Sequence, residues 1–299
     1  MVKNMNNVIC IGNLNYNMNL YVNSYPIEDQ ISNIVKKNKT IGSNLNVPII
    51  LSKYELNVYL FSNIGDDLEG KEIINYLHSN KINTDYINTI NNTFTNKRYI
   101  IRNIKNDTKT ILSEKVRIKY LLDRDLNFVP NIIYTDTYEV DLIKQLKNKY
   151  KNVKLITNLN EISTEALNTC VISDYIIISL KYAEILTNVK INLKDKNSII
   201  NLYLKTKKLF SGKILIYIEQ LGCLFENNNI IGIISKMGDK NLVSKNSFDI
   251  FISTFIYSII NNFDISKAIK ISTIAKFLSD NNKQNLNINE VVEIYEKNS

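Results

Sequence analysis

The feature that most constrains the fold of this chain is the alternation of short apolar runs with segments of helical periodicity. Apolar runs at 7–12 and 57–62 predict buried strands, and residues 68–80 repeat their apolar positions at helical spacing after Asp67, a good helix cap. This repeated order, in which each strand is followed by a helix, predicts an α/β fold with a doubly wound, mostly parallel sheet flanked by helices. Further strands are expected at 131–135, 154–157, 175–179 and 213–219, and helices at 139–152, 180–186, 198–210, 249–261 and 266–280.

One pair of strands interrupts this order. The alternating segments 98–104 and 108–112 flank the turn Lys105-Asn106-Asp107 and predict an antiparallel hairpin. Because the hairpin has no place in a strand–helix repeat, it is interpreted as a small β lid, joined by an exposed strand at 20–26. A second hairpin is predicted by 223–225 and 230–234.

The sequence contains no linker rich in Pro, Gly or Ser and no internal repeat. The simplest division is therefore a single domain over residues 1–299. Its lid is expected to be formed by about 13–26 and 92–116.

The charge of the chain is basic but dispersed. It has 37 basic and 29 acidic residues, a net charge of +8, and no run of like charges longer than Lys36-Lys37 or Lys207-Lys208. Scattered lysines favour a solvated surface, so no nucleic-acid partner is expected. A nucleic-acid ribbon is the alternative interpretation of the hairpin, whose basic residues are Lys97, Arg98, Arg102, Lys105 and Lys109, with Tyr99 among them.

Cysteine and histidine usage excludes several kinds of site. The three cysteines, Cys10, Cys170 and Cys223, lie far apart in apolar segments and are expected to be buried thiols in a reducing compartment. His78 is the single histidine, which argues against a zinc site or a His-dependent triad. Residues 1–7 lack the apolar stretch of a signal peptide, and no apolar run reaches the ~20 residues of a membrane helix. A cytoplasmic protein without membrane contact is expected.

Several motifs, taken in order, resemble the PfkB family of sugar and nucleoside kinases along nearly the whole chain. Residues 8–17 (VICIGNLNYN) are similar to that family's first strand and substrate loop, and 56–67 with Gly70 is the best match to a family signature. Other similar segments are Gly42 with Asn46, residues 82–87, 173–179 with 183–187, 246–249, 255–257 and 266–269.

The resemblance implies a ribokinase-like fold and transfer of the γ-phosphoryl group of ATP, with Mg²⁺, to a hydroxyl of a small molecule. Asp249 matches the family's catalytic base, while a helix cap is the alternative role for an Asp at that position. The residues implied to bind substrate are Asn15, Asn17, Gly42 and Asn46. The residues implied for the anion hole and nucleotide region are Asn246, Ser247, Phe248 and Gly222, and no residue is assigned as a metal ligand.

The sequence departs from the family pattern at the phosphate-binding motifs. Asn246 and Phe248 replace glycines before Asp249, and the ring of Phe248 is expected to crowd the phosphoryl position. Ser179-Leu180-Lys181-Tyr182 stands in place of Asn-x-x-Glu, with Glu184 nearby, and Tyr217-Ile218-Glu219 in place of Thr-x-Gly.

Two classes of function follow from this combination. The first is an ATP-dependent sugar or nucleoside kinase acting on a small-molecule substrate. The second is a catalytically silent relative that binds a small molecule or a protein partner. A homodimer formed through the lid is a further expectation.

Overall fold

The chain folds around two β-sheets. The computed structural model describes residues 6–42, 45–116, 119–137, 139–238, 246–281 and 286–297. The strands are β1 (Asn7–Ile11), β2 (Tyr16–Val22), β3 (Ile34–Ile41), β4 (Asn57–Gly65), β5 (Ile87–Ile90), β6 (Lys97–Asn103), β7 (Thr108–Glu114), β8 (Ile132–Thr135), β9 (Lys154–Leu159), β10 (Tyr175–Ser179), β11 (Lys213–Ile218), β12 (Gly222–Asn227) and β13 (Ile230–Ser235).

Helices flank the larger sheet. They are α1 (Asn46–Lys53), α2 (Leu68–Ser79), α3 (Val140–Lys149), α4 (Thr164–Val171), α5 (Leu180–Thr187), α6 (Lys196–Lys207), α7 (Ser247–Ile260), α8 (Ile265–Asp280) and α9 (Ile288–Lys297). Asp67 caps α2 as predicted, since its Oδ1 accepts from the Gly70 N–H at 3.0 Å. No helix in the described part of the chain has the length and apolar character needed to cross a bilayer.

The main sheet has the strand order β13-β12-β11-β10-β9-β8-β1-β4-β5. Its strands from β11 to β5 pair in parallel, and β12 and β13 extend one edge as an antiparallel hairpin. All five residues of β1 are buried, as expected for a central parallel strand covered by helices on both faces. The mostly parallel, helix-flanked fold is thus confirmed.

A separate four-stranded sheet, the lid sheet, has the order β3-β2-β6-β7. The predicted hairpin is its β6–β7 pair, and the sheet stands apart from the main one, as predicted. Its central strands β2 and β6 pair in parallel, while both outer pairs are antiparallel.

The sequence interpretation missed or misplaced several elements. The strand predicted at 20–26 runs from Tyr16 to Val22 instead, and β3 was not foreseen. The central residues of β3, Lys-Lys-Asn-Lys, are polar and largely exposed, so they carry no alternation that indicates a strand. The elements β5, α4 and α9 were also missed. The three cysteines are free and buried, as expected.

Candidate active site

The candidate site lies where β1 and β8 end, at the carboxyl edge of the main sheet. Gly12 follows β1 and Asp136 follows β8. A side chain on Gly12 would meet Asp136 Oδ1 at 3.8 Å. Asn160, beyond the end of β9, donates from Nδ2 to the Asp136 carbonyl oxygen at 3.1 Å. Neighbouring parallel strands end at this edge, which is where open α/β sheets bind ligands.

Two helix N-termini meet beside this edge. Asn46 is the first residue of α1, and Asp249 is the third residue of α7. Asn46 Nδ2 donates to Asp249 Oδ2 at 2.7 Å. The residue preceding α7 is Asn246, which makes no side-chain cap hydrogen bond. Asp249 therefore lies within the first turn, and its carboxylate is bonded to another helix.

The two carboxyl groups of the site influence each other. Burial, followed by the charge of Asp249, raises the pKa of Asp136 to about 7, while the Asp136 backbone N–H and Arg98 oppose the shift. Burial also raises the pKa of Asp249, and the hydrogen bond from Asn46 partly lowers it. Carboxyl groups whose pKa values are shifted by burial and by each other are frequent at functional sites.

Asp136 was missed by the sequence interpretation. The signal available was its position directly after the predicted strand 131–135, at the carboxyl end of a parallel strand. The charge of Asp136 and then that of Asp249 also raise the pKa of Tyr134, after the larger effect of burial. Tyr134 is buried, and the effects of both charges indicate that it lies near the pair.

Of the four substrate residues implied by the resemblance, Asn15 and Gly42 contact each other, Asn46 contacts Asp249, and Asn17 is separate from both contacts. Asn46 bonds Asp249, as described, and the Gly42 N–H donates to the Asn15 carbonyl oxygen at 2.8 Å. A Cβ at Gly42 would lie 3.1 Å from that same oxygen, so glycine permits the close approach. Residues 43 and 44 lie outside the described residues.

Asn17 lies on β2 of the lid sheet. Its side chain is 5% exposed, and its Oδ1 is buried without a hydrogen-bond partner among the described residues. Asn15, by contrast, donates from Nδ2 to the Asn13 carbonyl oxygen at 3.2 Å. A buried acceptor without a donor is unfavourable by about 1–3 kcal/mol and indicates a place for a ligand group or an ordered water.

Phe248 in the anion-hole region packs against other aromatic rings. Its ring centroid lies 5.0 Å from that of Tyr217 and 6.1 Å from that of Phe251, to which it is nearly parallel at 9°. The ring therefore belongs to an aromatic cluster alongside β11. Residues 239–245, which precede Asn246 in the sequence, lie outside the described residues, so the expected crowding of the phosphoryl position stays a prediction.

Gly222 has a clear conformational requirement. It begins β12 with φ +122°, and a Cβ there would lie 2.1 Å from the Ile234 carbonyl oxygen. It faces Ile218 across the β11–β12 pair and Ser235 across the β12–β13 pair. The strand backbones approach each other so closely here that only a residue without a side chain fits.

An ion pair lies next to the aromatic cluster. Lys276 Nζ is 2.6 Å from Asp280 Oδ2, with both side chains 11% exposed, and lies 5.8 Å from the Tyr217 ring centroid. Tyr217 is the residue that stands in place of the threonine of the family's Thr-x-Gly motif. The side chains of this ion pair therefore lie beside Tyr217.

Glu184, the acid near the segment that stands in place of Asn-x-x-Glu, is bonded to neighbouring groups of the chain. Glu184 Oε2 accepts from Lys190 Nζ at 2.8 Å, and its Oε1 accepts from the Ile191 N–H at 3.0 Å. Within the described ranges no three His, Cys, Asp or Glu side chains converge as a metal-binding group.

Sheet order, lid sheet and carboxyl-edge site together define a ribokinase-like α/β protein. The chain belongs to the pfkB family of carbohydrate kinases, whose model matches residues 5–276. This confirms the resemblance given by the motifs. No curated protein sequence matches the chain significantly.

Solved structures agree on the fold. The chain is similar to Arabidopsis thaliana ribokinase complexed with ribose and ATP, with a TM-score of 0.80, 16% identity, and coverage of 96% of this chain and 97% of that one. For ribokinase from Giardia lamblia the TM-score is 0.75 at 16% identity, covering 99% and 100% of the two chains. For the nucleoside kinase of Methanocaldococcus jannaschii it is 0.73 at 16% identity, covering 98% and 99%. At these identities the likeness establishes the fold.

Proposed function

We propose that the protein is an ATP-dependent kinase that phosphorylates a hydroxyl of a small, sugar-like molecule, with Asp249 as the base. The observation that carries the proposal is the Asn46–Asp249 hydrogen bond of 2.7 Å at the junction of two helix N-termini. Family membership supports the reaction class. The ribose and ATP bound by the Arabidopsis relative support a sugar acceptor and a nucleotide donor.

Asp249 is positioned to accept a proton. Asn46 holds Oδ2, so we assign the acceptor hydroxyl to Oδ1. As the hydroxyl oxygen attacks the γ-phosphorus, its proton passes to Asp249, the bond from the γ-phosphorus to the β,γ-bridging oxygen breaks, and ADP leaves. Burial raises the pKa of Asp249, which strengthens it as a base once it is ionised.

The first turn of α7 is the source of electrostatic stabilisation. Asn246 makes no side-chain cap bond, so its side chain does not satisfy the N–H groups at the start of α7. Such groups, with the positive end of the helix dipole, stabilise the charge on a transferring phosphoryl group. We assign Ser247 and Phe248 to this role through their backbone, since the Phe248 ring packs against Tyr217.

The substrate is assigned to the space between the lid sheet and the carboxyl edge of the main sheet. Asn15, Asn17, Gly42 and Asn46 are proposed to line it, with Asp136 as a further acceptor of a substrate hydroxyl. The partnerless Oδ1 of Asn17 supports this assignment, because a sugar hydroxyl supplies the missing donor. A single domain whose lid covers this space remains the proposed organisation.

The lid is also the proposed contact of a homodimer. Tyr99 and Leu112 face each other across the β6–β7 pair and are 37% and 55% exposed. Adjacent exposed apolar side chains are typical of surfaces that contact another chain.

The second candidate is a catalytically silent relative that binds a small molecule or a protein. The Lys276–Asp280 ion pair beside Tyr217 supports it, because these groups take up part of the expected nucleotide region. Isothermal titration with ATP and Mg²⁺, followed by transfer from γ-labelled ATP to a panel of sugars and nucleosides, separates the candidates. Micromolar ATP binding with labelled product supports the kinase. ATP binding absent at millimolar concentration supports the silent relative.

A further inference from the structure

The lid sheet has two chemically different faces. One face packs on α2: the Tyr16 hydroxyl donates to Glu72, and Lys97 Nζ lies 3.0 Å from Glu69 Oε1. Because side chains alternate along a strand, the next residues, Asn17 and Arg98, lie on the opposite face.

We call this opposite face the inner lid face. Directly paired residues share a face, and the pairings place three rows on it. The rows are Thr40, Asn17, Arg98 and Ser113; then Asn38, Asn19, Ile100 and Ile111; then Lys36, Tyr21, Arg102 and Lys109. The charge of Arg98 lowers the pKa of Asp136, which indicates that the first row lies toward the carboxyl pair of the site.

The inner lid face carries a net positive charge, which comes from Arg98 in the first row and from Lys36, Arg102 and Lys109 in the third row. Four of its residues are cationic, and none of its positions, all of which are described, carries Asp or Glu. Each arginine brings a planar group of N–H donors suited to phosphate or carboxylate. A face of one charge beside a ligand site attracts a ligand of the opposite charge.

The side chain of Arg102 is directed from the third row toward the middle row. Its Nε donates to Asn19 Oδ1 at 3.2 Å, and Asn19 Nδ2 donates to Thr40 Oγ1 at 3.0 Å. Arg98 and Arg102 are four residues apart, about 13 Å along a strand. The bond to Asn19 directs the Arg102 guanidinium toward the middle row, which lies between Arg102 and Arg98.

Two amide oxygens on this face need donors. Asn17 Oδ1 and Asn38 Oδ1 are both buried, and neither has a hydrogen-bond partner within the described part of the chain. Asn17 is 5% exposed, so its oxygen is held away from bulk water. Hydroxyl groups of a ligand would satisfy these acceptors, whereas a simple anion would not.

We propose that the inner lid face recognises a substrate that already carries a phosphate, a sugar monophosphate, with Arg98 and Arg102 on the phosphate and Asn17 on a hydroxyl. The inference rests on the proposed function, because it names the substrate class of that site. The acceptor hydroxyl, at the other end of the sugar, is the one placed on Asp249. A sugar acid also presents a negative charge to the two arginines, so it is tested separately from the sugar phosphates.

The test compares charged and neutral sugars by calorimetric titration. Ribose 5-phosphate and fructose 6-phosphate are expected to bind at least about tenfold more tightly than ribose and fructose. R98Q and R102Q should each weaken sugar-phosphate binding by about ten- to a hundredfold, and by at least about tenfold more than they weaken binding of the neutral sugars. Arg124, which pairs with Asp123 at 3.0 Å outside the lid, gives the matched control R124Q.

The variants are chosen to fold. Glutamine keeps an amide donor for Asn19, and R102K restores the charge and should recover part of the affinity. If R102Q unfolds, R98Q alone decides. Inorganic phosphate and gluconate are further probes, read by thermal shift. Stabilisation by phosphate that R98Q abolishes supports the proposal, and preference for gluconate over the sugar phosphates contradicts the phosphate assignment.

Several results would overturn the inference. They are equal binding of ribose and ribose 5-phosphate, sugar-phosphate binding unchanged in R98Q, or no stabilisation by any phosphate-bearing probe. Competition by a single-stranded oligonucleotide with the same arginine dependence would favour a nucleic-acid ribbon instead. Phosphate-dependent binding without transfer from ATP would reject the kinase assignment and keep the inner lid face as a phosphate site.

Discussion

Asn46 and Asp249, 203 positions apart in the sequence, are joined by a hydrogen bond of 2.7 Å. The bond ties the first turn of α1 to the first turn of α7 and orients a carboxylate whose ionisation is hindered by burial. The base assigned to this family position is therefore held by a tertiary contact.

Replacement of Asp249 by Asn tests the base directly. Phosphoryl transfer is expected to fall by about 10²–10⁴-fold, the usual contribution of a positioned base, while the unfolding midpoint stays within a few degrees. The comparison variant is D264A, which removes a helix cap bonded to Ser266 and Lys267 and should cost about 1 kcal/mol with turnover unchanged. A D249N protein that is active but less stable would assign Asp249 a structural role.

Loss of the Asn46 donor should change the pH profile. Because the bond lowers the raised pKa of Asp249, N46A is expected to raise that pKa further. Activity needs the ionised base, so the acid limb of kcat/KM should move to higher pH. Asn80, which bonds the Tyr76 carbonyl oxygen at the exposed end of α2, supplies the control N80A. Superimposable profiles for N46A and the parent would contradict the assignment.

Asp136 should make stability depend on pH. Its folded pKa of about 7 lies above the ordinary value of 3.8, so between these values the folded state binds more protons than the unfolded state. Stability then falls as pH rises through this window, by at most about 1.4 kcal/mol per pH unit. Asp249 and Arg98 are the charged groups facing it. D136N should flatten the decline in denaturant titrations.

Asp66 is expected to give stability a pH dependence of the opposite sign, because its pKa is lowered and not raised. Backbone N–H groups of Asn92 and Thr93 lower its pKa, so its contribution is present at neutral pH and is lost as the solution is acidified. D66N should therefore alter stability at neutral pH and leave the decline from pH 4 to 7 in place. An unchanged slope in D136N would show that another group carries it.

Phe248 is expected to contribute to stability more than to hinder catalysis. Its ring packs on Tyr217 and Phe251, so F248A should cost about 1–3 kcal/mol and should not raise turnover. Phe94, which is 63% exposed, gives the control F94A, expected to change stability by less than about 0.5 kcal/mol. A more active F248A would mean that the ring obstructs the phosphoryl group.

Gly222 and Gly232 form a matched pair within one hairpin. G222A should destabilise the protein by roughly 2–4 kcal/mol, because φ is +122° and a Cβ would overlap the Ile234 carbonyl oxygen. Nothing lies within 4 Å of a Cβ at Gly232, so G232A should be nearly neutral. Chemical denaturation of both measures the difference. Equal effects would indicate that the backbone relaxes around the added methyl group.

Local patterns in the sequence were enough to predict most strands of the main sheet. The runs that became β1 and β4 are continuous and apolar, and the alternation around Lys105 marked the β6–β7 hairpin. The strand β3 left no such pattern, because it lies at an exposed edge with polar residues at its centre. Edge strands need no apolar face, so hydrophobic periodicity does not reveal them.

The candidate site was only partly predictable for a related reason. Asp249 and Asn46 were identified through family motifs, but their contact depends on how two helices pack. Asp136 and Arg98 belong to no motif, and the charge of Arg98 acts on Asp136 because the fold brings β6 of one sheet near the end of β8 of the other. Such relationships are tertiary and leave no trace in local spacing.

The parallel pairing of β2 with β6 also bears on the order of assembly. Two hairpins, β2–β3 and β6–β7, enter the lid from separate parts of the chain and are joined by strands about 80 positions apart. Closing a loop of that length is entropically costly and slow, so this seam should form after the local hairpins. During synthesis on the ribosome, the β2–β3 hairpin cannot pair with β6 until residue 103 has emerged. Until then, the edge of β2 that pairs with β6 stays unpaired.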